Sequence, residues 1–365
     1  MSPVLTDAEI TFVLPDPDRR YQEVTLYQEL QRPRESPVAT WADGEWRARL
    51  PRVDQAPKGP KRMEYAFVVT HPDGGKEFIT DPGNPVVADG PFGAKSVLQF
   101  PTYQPPAWLQ AEAPAGGFGH IEWSEIPLSR YRSAVTCGVW TPAGHNRDDE
   151  LPLLLVHDGP EFDELSRLTH LLALAVAEGR IPPMRAALLA PVPNRRNETY
   201  SASAHYADAL ATRVVPHLDH HAPSPADDRP AVMGASLGAL AALHAAHRHP
   251  ATFGDLVLLS GSYFRMRSDH QERGFAHFNR ISRFVGRVAT GRATLPVRTI
   301  AISVGTVEEN YVNNQIMASG LEAAGHDVRL TTFADGHTYT AWRDALDPVL
   351  LDVLADGMSA RRSTL

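Results

Sequence analysis

The sequence predicts two domains, a small all-β sandwich followed by an α/β domain with a mainly parallel sheet. Up to about residue 100, short β-like segments such as "ITFVL" and "EYAFVVTH" are separated by turn residues, and no long helix-period segment interrupts them. From about residue 120 onward, apolar runs alternate with helical stretches. Continuous apolar runs indicate strands buried on both faces, which is typical of a parallel sheet covered by helices.

The two domains are joined by "PTYQPPAWLQAEAPAGGFG", whose prolines and glycines cannot continue a strand or a helix. We therefore predict a sandwich over residues 1–100, a linker over 101–119 and the α/β domain over 120–365. Strands of the α/β domain are expected in "LPLLLVHDG", "RAALLAPVPN", "RPAVMGAS", "GDLVLLSG", "VRTIAISVG" and "DVRLTTF".

Composition restricts the partners and the compartment. The formal net charge of -8 argues against nucleic-acid binding, which needs a basic surface. The longest apolar runs, such as "LPLLLV", are too short to cross a bilayer, and the opening "MSPVLTDAEI" lacks the features of a secretory signal. The one cysteine, Cys137, is expected to be a buried structural thiol and fits a reducing cytoplasm. The sequence does not indicate an oligomeric state.

The stretch "RPAVMGASLGALAALHAAHRHP" contains a candidate nucleophile. A short buried strand runs into Gly234, Ser236 and Gly238, and an alanine- and leucine-rich helix follows at once. Small residues around a serine at a strand-to-helix turn permit a strained backbone that exposes the hydroxyl, and the helix N-terminus favours developing negative charge. We interpret Ser236 as a nucleophile, and the alternative is a glycine-lined turn with a capping serine.

A serine nucleophile needs a base, and the base needs an orienting acid. The strand "VRTIAISVG" is followed by Glu308 and Glu309, and the strand "DVRLTTF" is followed by His337. Serine, then acid, then histidine is the chain order of α/β-hydrolases. The sequence thus predicts an α/β-hydrolase domain in which Ser236 and His337 act with one of the two glutamates.

A second group of histidines has the spacing of metal ligands. His217, His220 and His221 would lie on one face of a helix, as a metal site requires. They stand, however, at a predicted helix end that is followed by proline, where histidine favours the carbonyl end of the helix dipole. We therefore predict a solvated helix terminus, with neither a metal nor another cofactor.

These motifs resemble those of the enterochelin (ferric enterobactin) esterases, and more broadly of the serine esterases that include feruloyl esterases and mycolyltransferases. The matching stretches span about residues 120 to 355 in the family's order: "LLLVHDGPEF", "RRNETY", "GASLGALAALHA", "LLSGSYF", "SVGTVEEN" and "DGHTYTAW". The amino-terminal stretches "WADGEW", "EYAFVV" and "ITDPGNP" resemble the immunoglobulin-like domain that precedes the hydrolase in enterochelin esterases.

The resemblance implies roles for individual residues. It makes Ser236 the nucleophile, His337 the general base and Glu308 the acid, with Glu309 as the alternative. It also makes the backbone N–H of Leu237 one donor of the oxyanion hole.

The second oxyanion donor departs from the family pattern. It normally comes from the residue after "DG", which in this chain is Pro160 and has no N–H. Gly159, or Glu161 in a shifted loop, would have to supply it. Losing one such donor typically costs about a hundredfold or more in turnover, so the resemblance is compatible with a slow esterase.

Three residues are expected to bind the substrate. Arg196 matches the family's arginine and could grip anionic or catecholate oxygens, whereas a salt bridge, for example with Glu198, is the alternative. Tyr263 and Phe264 follow a strand end and could line an aromatic site, or they could be core residues.

The function predicted from these features is that of a serine esterase. It would hydrolyse the carboxylic ester or lactone of a small molecule, such as a siderophore, through an acyl-enzyme, and the sandwich would need no catalytic residue of its own. Two alternatives stay open: an acyltransferase that uses the same triad, and a carbohydrate- or partner-binding protein with a vestigial hydrolase domain.

Overall fold

The computed structural model describes residues 3–30, 36–91, 93–291, 295 and 297–362. They form two units. The first unit comprises residues 1–105 together with two later segments, 305–309 and 332–341. The second comprises residues 106–304, 310–331 and 342–365.

The first unit is built from two antiparallel sheets, with the strand orders β1-β2-β5-β4 and β3-β6-β9-β8, and β7 pairs with β6. Its strands are β1 (Val4–Leu5), β2 (Glu9–Pro15), β3 (Glu23–Gln28), β4 (Thr40–Ala42), β5 (Glu45–Pro51), β6 (Arg62–Thr70), β7 (Lys76–Ile79), β8 (Val87–Ala88) and β9 (Lys95–Gln99). The all-β character predicted for the amino-terminal residues is confirmed.

The two sheets share one apolar core, as a sandwich requires. Phe12 from one sheet meets Tyr65 from the other edge to face, with 4.7 Å between ring centroids. Val307, from one of the two later segments, belongs to the same core. The segment that carries the candidate acid Glu308 therefore folds with the sandwich.

Asp16 fixes one end of this sandwich. Its buried carboxylate accepts hydrogen bonds from the Trp46 indole at 2.9 Å, the Arg20 amide at 2.9 Å and the Tyr21 amide at 3.2 Å. Burial alone would raise the pKa of Asp16, but the hydrogen bonds from Arg20, Trp46 and Tyr21 outweigh it and hold the pKa below its ordinary value. The charged form is thus the one that the fold stabilises.

The second unit contains an eight-stranded sheet with the order β10-β11-β13-β12-β14-β15-β16-β17. The strands are β10 (His120–Leu128), β11 (Ser133–Thr141), β12 (Leu153–His157), β13 (Arg185–Leu189), β14 (Ala231–Ala235), β15 (Leu256–Leu259), β16 (Ile300–Gly305) and β17 (Val328–Phe333). The central pairs are parallel, and β10 and β11 add antiparallel pairs at one edge. The predicted α/β architecture is confirmed, although the sheet is mixed.

Nine α-helices are described in the second unit or at its borders. They are α1 (Gly159–Ser166), α2 (Leu168–Ala177), α3 (Arg196–Tyr200), α4 (Ala204–Ala209), α5 (Val215–His221), α6 (Leu237–Arg248), α7 (Phe278–Val288), α8 (Tyr311–Ala323) and α9 (Tyr339–Arg362). None of the helices within the described residues is long and apolar enough to cross a membrane.

The sheet topology fixes where a site can form. β12 lies between β13 and β14, so the chain reverses its direction of winding after β12. In such sheets ligands bind beyond the carboxyl ends of the strands at this reversal point. Every residue of β12 and β14 is buried, and the loops after these strands are the "HDG" turn and the turn that contains Ser236.

Replacing Asp16 with asparagine should destabilise the protein by about 2 kcal/mol. The neutral amide has only one acceptor oxygen and lacks the negative charge that strengthens these hydrogen bonds. Because the pKa of Asp16 is lowered on folding, its contribution should be present at neutral pH and lost as the pH falls through the acid range. Urea unfolding at neutral and acid pH measures both effects. The exposed Asp18→Asn is the control, and equal unfolding midpoints for the two variants would refute this assignment.

Candidate active site

Ser236 stands between a buried strand and a buried helix. It follows the last residue of β14, and α6 begins at the next residue, so the strand-to-helix turn predicted from the sequence is confirmed. Its backbone has φ 55° and ψ -122°, a conformation that L-residues rarely adopt. The Ser236 amide donates to the Leu259 carbonyl at 2.9 Å, which ties the turn to the neighbouring strand β15.

Two glycines allow the backbone to come close at this turn. A Cβ on Gly234 would lie 2.5 Å from the Gly238 carbonyl carbon, so no larger residue fits without a shift of backbone. A Cβ on Gly238 would lie 3.2 Å from the Cβ of His157 and 3.4 Å from a carboxylate oxygen of Asp158. The glycines therefore bring the start of α6 against the loop that follows β12.

Ser262 is a neighbour of Ser236 that the sequence analysis did not identify. The two hydroxyl oxygens lie 3.0 Å apart, and the Ser262 amide donates to the Ser236 carbonyl at 3.1 Å. Ser262 is buried and follows β15, which pairs with β14. The sequence signal was its position after a strand end, but only the strand order shows that this strand lies beside that of Ser236.

His337 and Glu308 form an ion-paired hydrogen bond in the first unit. The Nδ1 atom of His337 lies 2.5 Å from one carboxylate oxygen of Glu308. The other carboxylate oxygen accepts the amide of Gly305, and Glu308 is completely buried. Glu309, the alternative acid, is exposed. The structure thus brings His337 together with Glu308.

The surroundings of His337 favour its charged form. Burial lowers the pKa of His337, but the charge and hydrogen bond of Glu308 act against it, helped by the charges of Glu309 and Glu29, and the net result is a raised pKa. Because Nδ1 carries the hydrogen that Glu308 accepts, Nε2 is the nitrogen that can take up a further proton.

The candidate oxyanion donors lie at two helix starts. Leu237 is the first residue of α6, so its N–H is one of the first-turn groups that have no acceptor within the helix. Gly159 and Pro160 begin α1, and proline is well suited to the first turn of a helix. A Cβ on Gly159 would lie 2.3 Å from the backbone of Leu188, so this position also requires glycine.

Arg196 forms an ion pair with the buried carboxylate of Asp158. Its Nε and Nη2 atoms donate to the two oxygens of Asp158 at 2.8 and 2.7 Å, and its guanidinium lies 5.2 Å from the centre of the Tyr200 ring. Glu198 pairs instead with Arg195. Asp158 has a left-handed backbone, with φ 52°, just before Gly159. Arg196 therefore holds the "HDG" loop that leads into α1.

Tyr263 and Phe264 lie in the apolar core of the second unit. Tyr263 is fully buried, and its hydroxyl has no hydrogen-bond partner among the described residues. Phe264 packs against Phe275 and Phe278. The burial of both rings favours the core-packing alternative that the sequence left open.

Cys137, His217 and His221 pack against neighbouring residues of the fold. Cys137 is buried in β11, and burial raises the pKa of its thiol to about 12, which confirms a buried thiol. His221 stacks on His217, and its Nδ1 atom lies 2.8 Å from the His217 carbonyl oxygen of the same helix. Within the described part of the chain, no group of three or more histidine, cysteine or acidic side chains could hold a metal ion.

Comparison with known proteins identifies similar chains. A family model described as "Putative esterase" matches residues 129–353. The iron(III) enterobactin esterase of Escherichia coli O6:H1 is 27% identical over 75% of this chain and 67% of its own length, and that of Dickeya dadantii is 28% identical over 62% of this chain and 52% of its own.

A solved structure shares the fold. The crystal structure of the enterobactin esterase from Shigella flexneri in the presence of enterobactin covers 96% of this chain and 94% of its own, with a TM-score of 0.73 and 21% identity. This likeness shows that the two chains share a fold.

The imidazole of His337 should titrate above its ordinary pKa of 6.5 in an NMR experiment. Glu308→Gln should lower this pKa, because the charge that opposes the effect of burial is removed. Glu309→Gln, which removes a charge with a smaller effect on this pKa, should lower it less. A larger fall in Glu309→Gln than in Glu308→Gln would overturn this explanation of the raised pKa.

Proposed function

From the premise that the chain belongs to the Esterase family, and is therefore a carboxylic ester hydrolase, we propose that Ser236, His337 and Glu308 are its catalytic triad. The observation that carries the proposal is the strained turn of Ser236, which presents a hydroxyl at the carboxyl end of a central parallel strand and at the start of a helix. The chain order of the three residues and the hydrogen bond between His337 and Glu308 support it.

In the proposed reaction, Nε2 of His337 takes the proton of the Ser236 hydroxyl while its oxygen attacks the ester carbonyl carbon. The carbon–oxygen bond to the leaving alcohol then breaks, and His337 returns the proton to that oxygen, which leaves an acyl group on Ser236. In the second half, His337 takes a proton from water while the water oxygen attacks the acyl carbon. The bond to Ser236 Oγ then breaks, His337 returns the proton to Oγ, and the acid is released. Glu308 keeps its charge throughout, holds the imidazole in one tautomer and stabilises the imidazolium.

We propose the Leu237 N–H as one oxyanion donor and the Gly159 N–H as the other. Each belongs to the first residue of a helix, where the helix dipole favours negative charge. Pro160 cannot donate, which makes Gly159 the donor in that loop. The ion pair of Arg196 with Asp158 would keep the Gly159 backbone in place.

The substrate that we propose is an ester or lactone of a catecholate siderophore. The support is the similarity to iron(III) enterobactin esterases, of which this chain spans between half and two thirds. Arg196, whose side chain is 36% exposed, would also meet a catecholate oxygen, whereas the buried Tyr263 and Phe264 are assigned to core packing. The enzyme would act in the cytoplasm on a siderophore that has entered with its iron.

We also propose that the amino-terminal sandwich is immunoglobulin-like and extends over residues 1–100, with a linker over 101–119 and the hydrolase over 120–365. Two antiparallel sheets with one shared core support this organisation.

Incubation with enterobactin, ferric and iron-free, followed by mass spectrometry of the products, tests the substrate. Wild-type protein should release the linear ester or its serine fragments, and Ser236→Ala should not. An organophosphonate should label Ser236 in the wild type. Labelling without siderophore hydrolysis would reject the substrate class, and a label at another residue or none at all would reject the nucleophile.

Turnover measurements separate the two candidate acids. Glu308→Gln should lower kcat by at least about tenfold, because the imidazole loses the carboxylate that orients it. Glu309→Gln is the matched control, one residue further along the chain and exposed, and should change kcat much less. If Glu309→Gln is the more damaging variant, the acid is misassigned by one residue.

A further inference from the structure

Arg62 is a buried cation that contacts the segment around His337. It is the first residue of β6, and its side chain is only 1% exposed. Its Nε atom donates to Asp335 at 3.0 Å, Nη2 donates to the hydroxyl of Thr338 at 3.0 Å, and Nη1 donates to Glu64 at 2.9 Å. Asp335 stands two residues before His337, and Thr338 stands one residue after it.

The segment is held further by backbone contacts within the same unit. The second carboxylate oxygen of Asp335 accepts the Gly336 amide at 2.7 Å, so one carboxylate joins the guanidinium to the backbone next to His337. The Lys61 amide donates to the Ala334 carbonyl at 2.8 Å. The strand residue Arg62 and its neighbour thus fix both sides of the turn that carries the imidazole.

The segment of the acid is held in a similar way. The hydroxyl of Thr306 donates to the Lys58 carbonyl at 2.8 Å, and Val307 is packed in the sandwich core. Both partners of the Glu308 and His337 hydrogen bond are therefore attached to the stretch between Lys58 and Arg62, which follows β5 and opens β6.

We propose that Arg62 is a positioning residue of the esterase reaction, and that it acts through Asp335 and Thr338 to hold His337 in its pairing with Glu308. This inference rests on the proposed function, since it gives His337 the role of the base. The planar guanidinium suits the task because its fixed fork of donors bonds two side chains of one turn at once. An ammonium group on a flexible chain cannot reproduce that geometry.

The charges around His337 determine its pKa, and this pKa can therefore report a weaker pairing with Glu308. They are Glu308, Glu309 and Glu29, which raise its pKa, with Lys95 paired to Glu29 at 2.6 Å and Arg62 paired to Asp335. Replacing Arg62 with lysine keeps the positive charge and removes the fork. A change in the pKa of His337 in that variant would therefore report geometry and not the loss of a charge.

Arg62→Lys should lower kcat by about tenfold or more and leave KM within about twofold, because a small displacement of the base affects the reacting step and not substrate binding. The ascending acid limb of the kcat/KM profile should move to lower pH, since a weaker pairing with Glu308 lowers the pKa of His337. The NMR pKa of His337 should fall in parallel.

The matched control is Arg52→Lys. Arg52 lies in the same unit and makes a comparable two-pronged ion pair with Asp54, at 2.8 and 2.7 Å, but it contacts no residue between 305 and 309 or between 332 and 341 in any described hydrogen bond. It should keep the wild-type kcat and acid limb. An Arg62→Lys variant that also keeps both would overturn the proposal.

If Arg62→Lys does not fold, a second pair of variants tests whether Arg62 positions His337. Thr338→Val removes the hydroxyl that accepts from Arg62, and Thr338→Ser keeps it. Only the valine variant should lose turnover and lower the pKa of His337, and equal behaviour of the two would reject the proposal. If the wild type has no esterase activity, the proposed function fails, but the NMR pKa of His337 in the same variants still tests the role of Arg62.

Discussion

The constraint on which the second unit depends is the backbone of Ser236. A residue at φ 55° and ψ -122° costs on the order of 1–3 kcal/mol, so the surrounding structure must stabilise it. Hydrogen bonds to Leu259 and from Ser262 fix both sides of the peptide, and the first ten residues of α6 are all buried. The small residues on either side follow from this requirement, since strand, turn and helix meet there at backbone contact distance.

A second constraint acts on the histidine and the glutamate. They come from segments more than two hundred residues after the sandwich strands in sequence, yet both segments fold in one unit with those strands. Polar contacts with Arg62, Lys61 and Lys58 hold them there, and those of Arg62 are buried. Because buried hydrogen bonds are costly to leave unpaired, these contacts specify one arrangement of the two segments. This gives the sandwich a physical connection to the two residues that we propose as base and acid.

Local sequence patterns predicted most elements of the fold. Alternating polarity identified the amino-terminal strands, continuous apolar runs identified the buried parallel strands, and the glycines around Ser236 identified the strand-to-helix turn. The stretch around Cys137 was interpreted as a strand, which is β11, but β10 and the antiparallel pairing of the two were not predicted. Edge strands carry a weaker apolar pattern, and most residues of β10 are exposed. The contact of Ser262 with Ser236, the pair of Arg196 with Asp158, and the contacts of Arg62 depend on strand order or on pairs far apart in sequence. No local pattern encodes these contacts.

The most direct test of this account is to trap the covalent intermediate during turnover. An activated aryl ester is mixed with the protein, the reaction is quenched in acid within the first turnovers, and the protein is digested for peptide mass spectrometry. We expect an acyl group on Ser236 that appears with the burst of released alcohol and is absent from Ser236→Ala. Release of alcohol without any acylated peptide, or with the acyl group on another side chain, would contradict it.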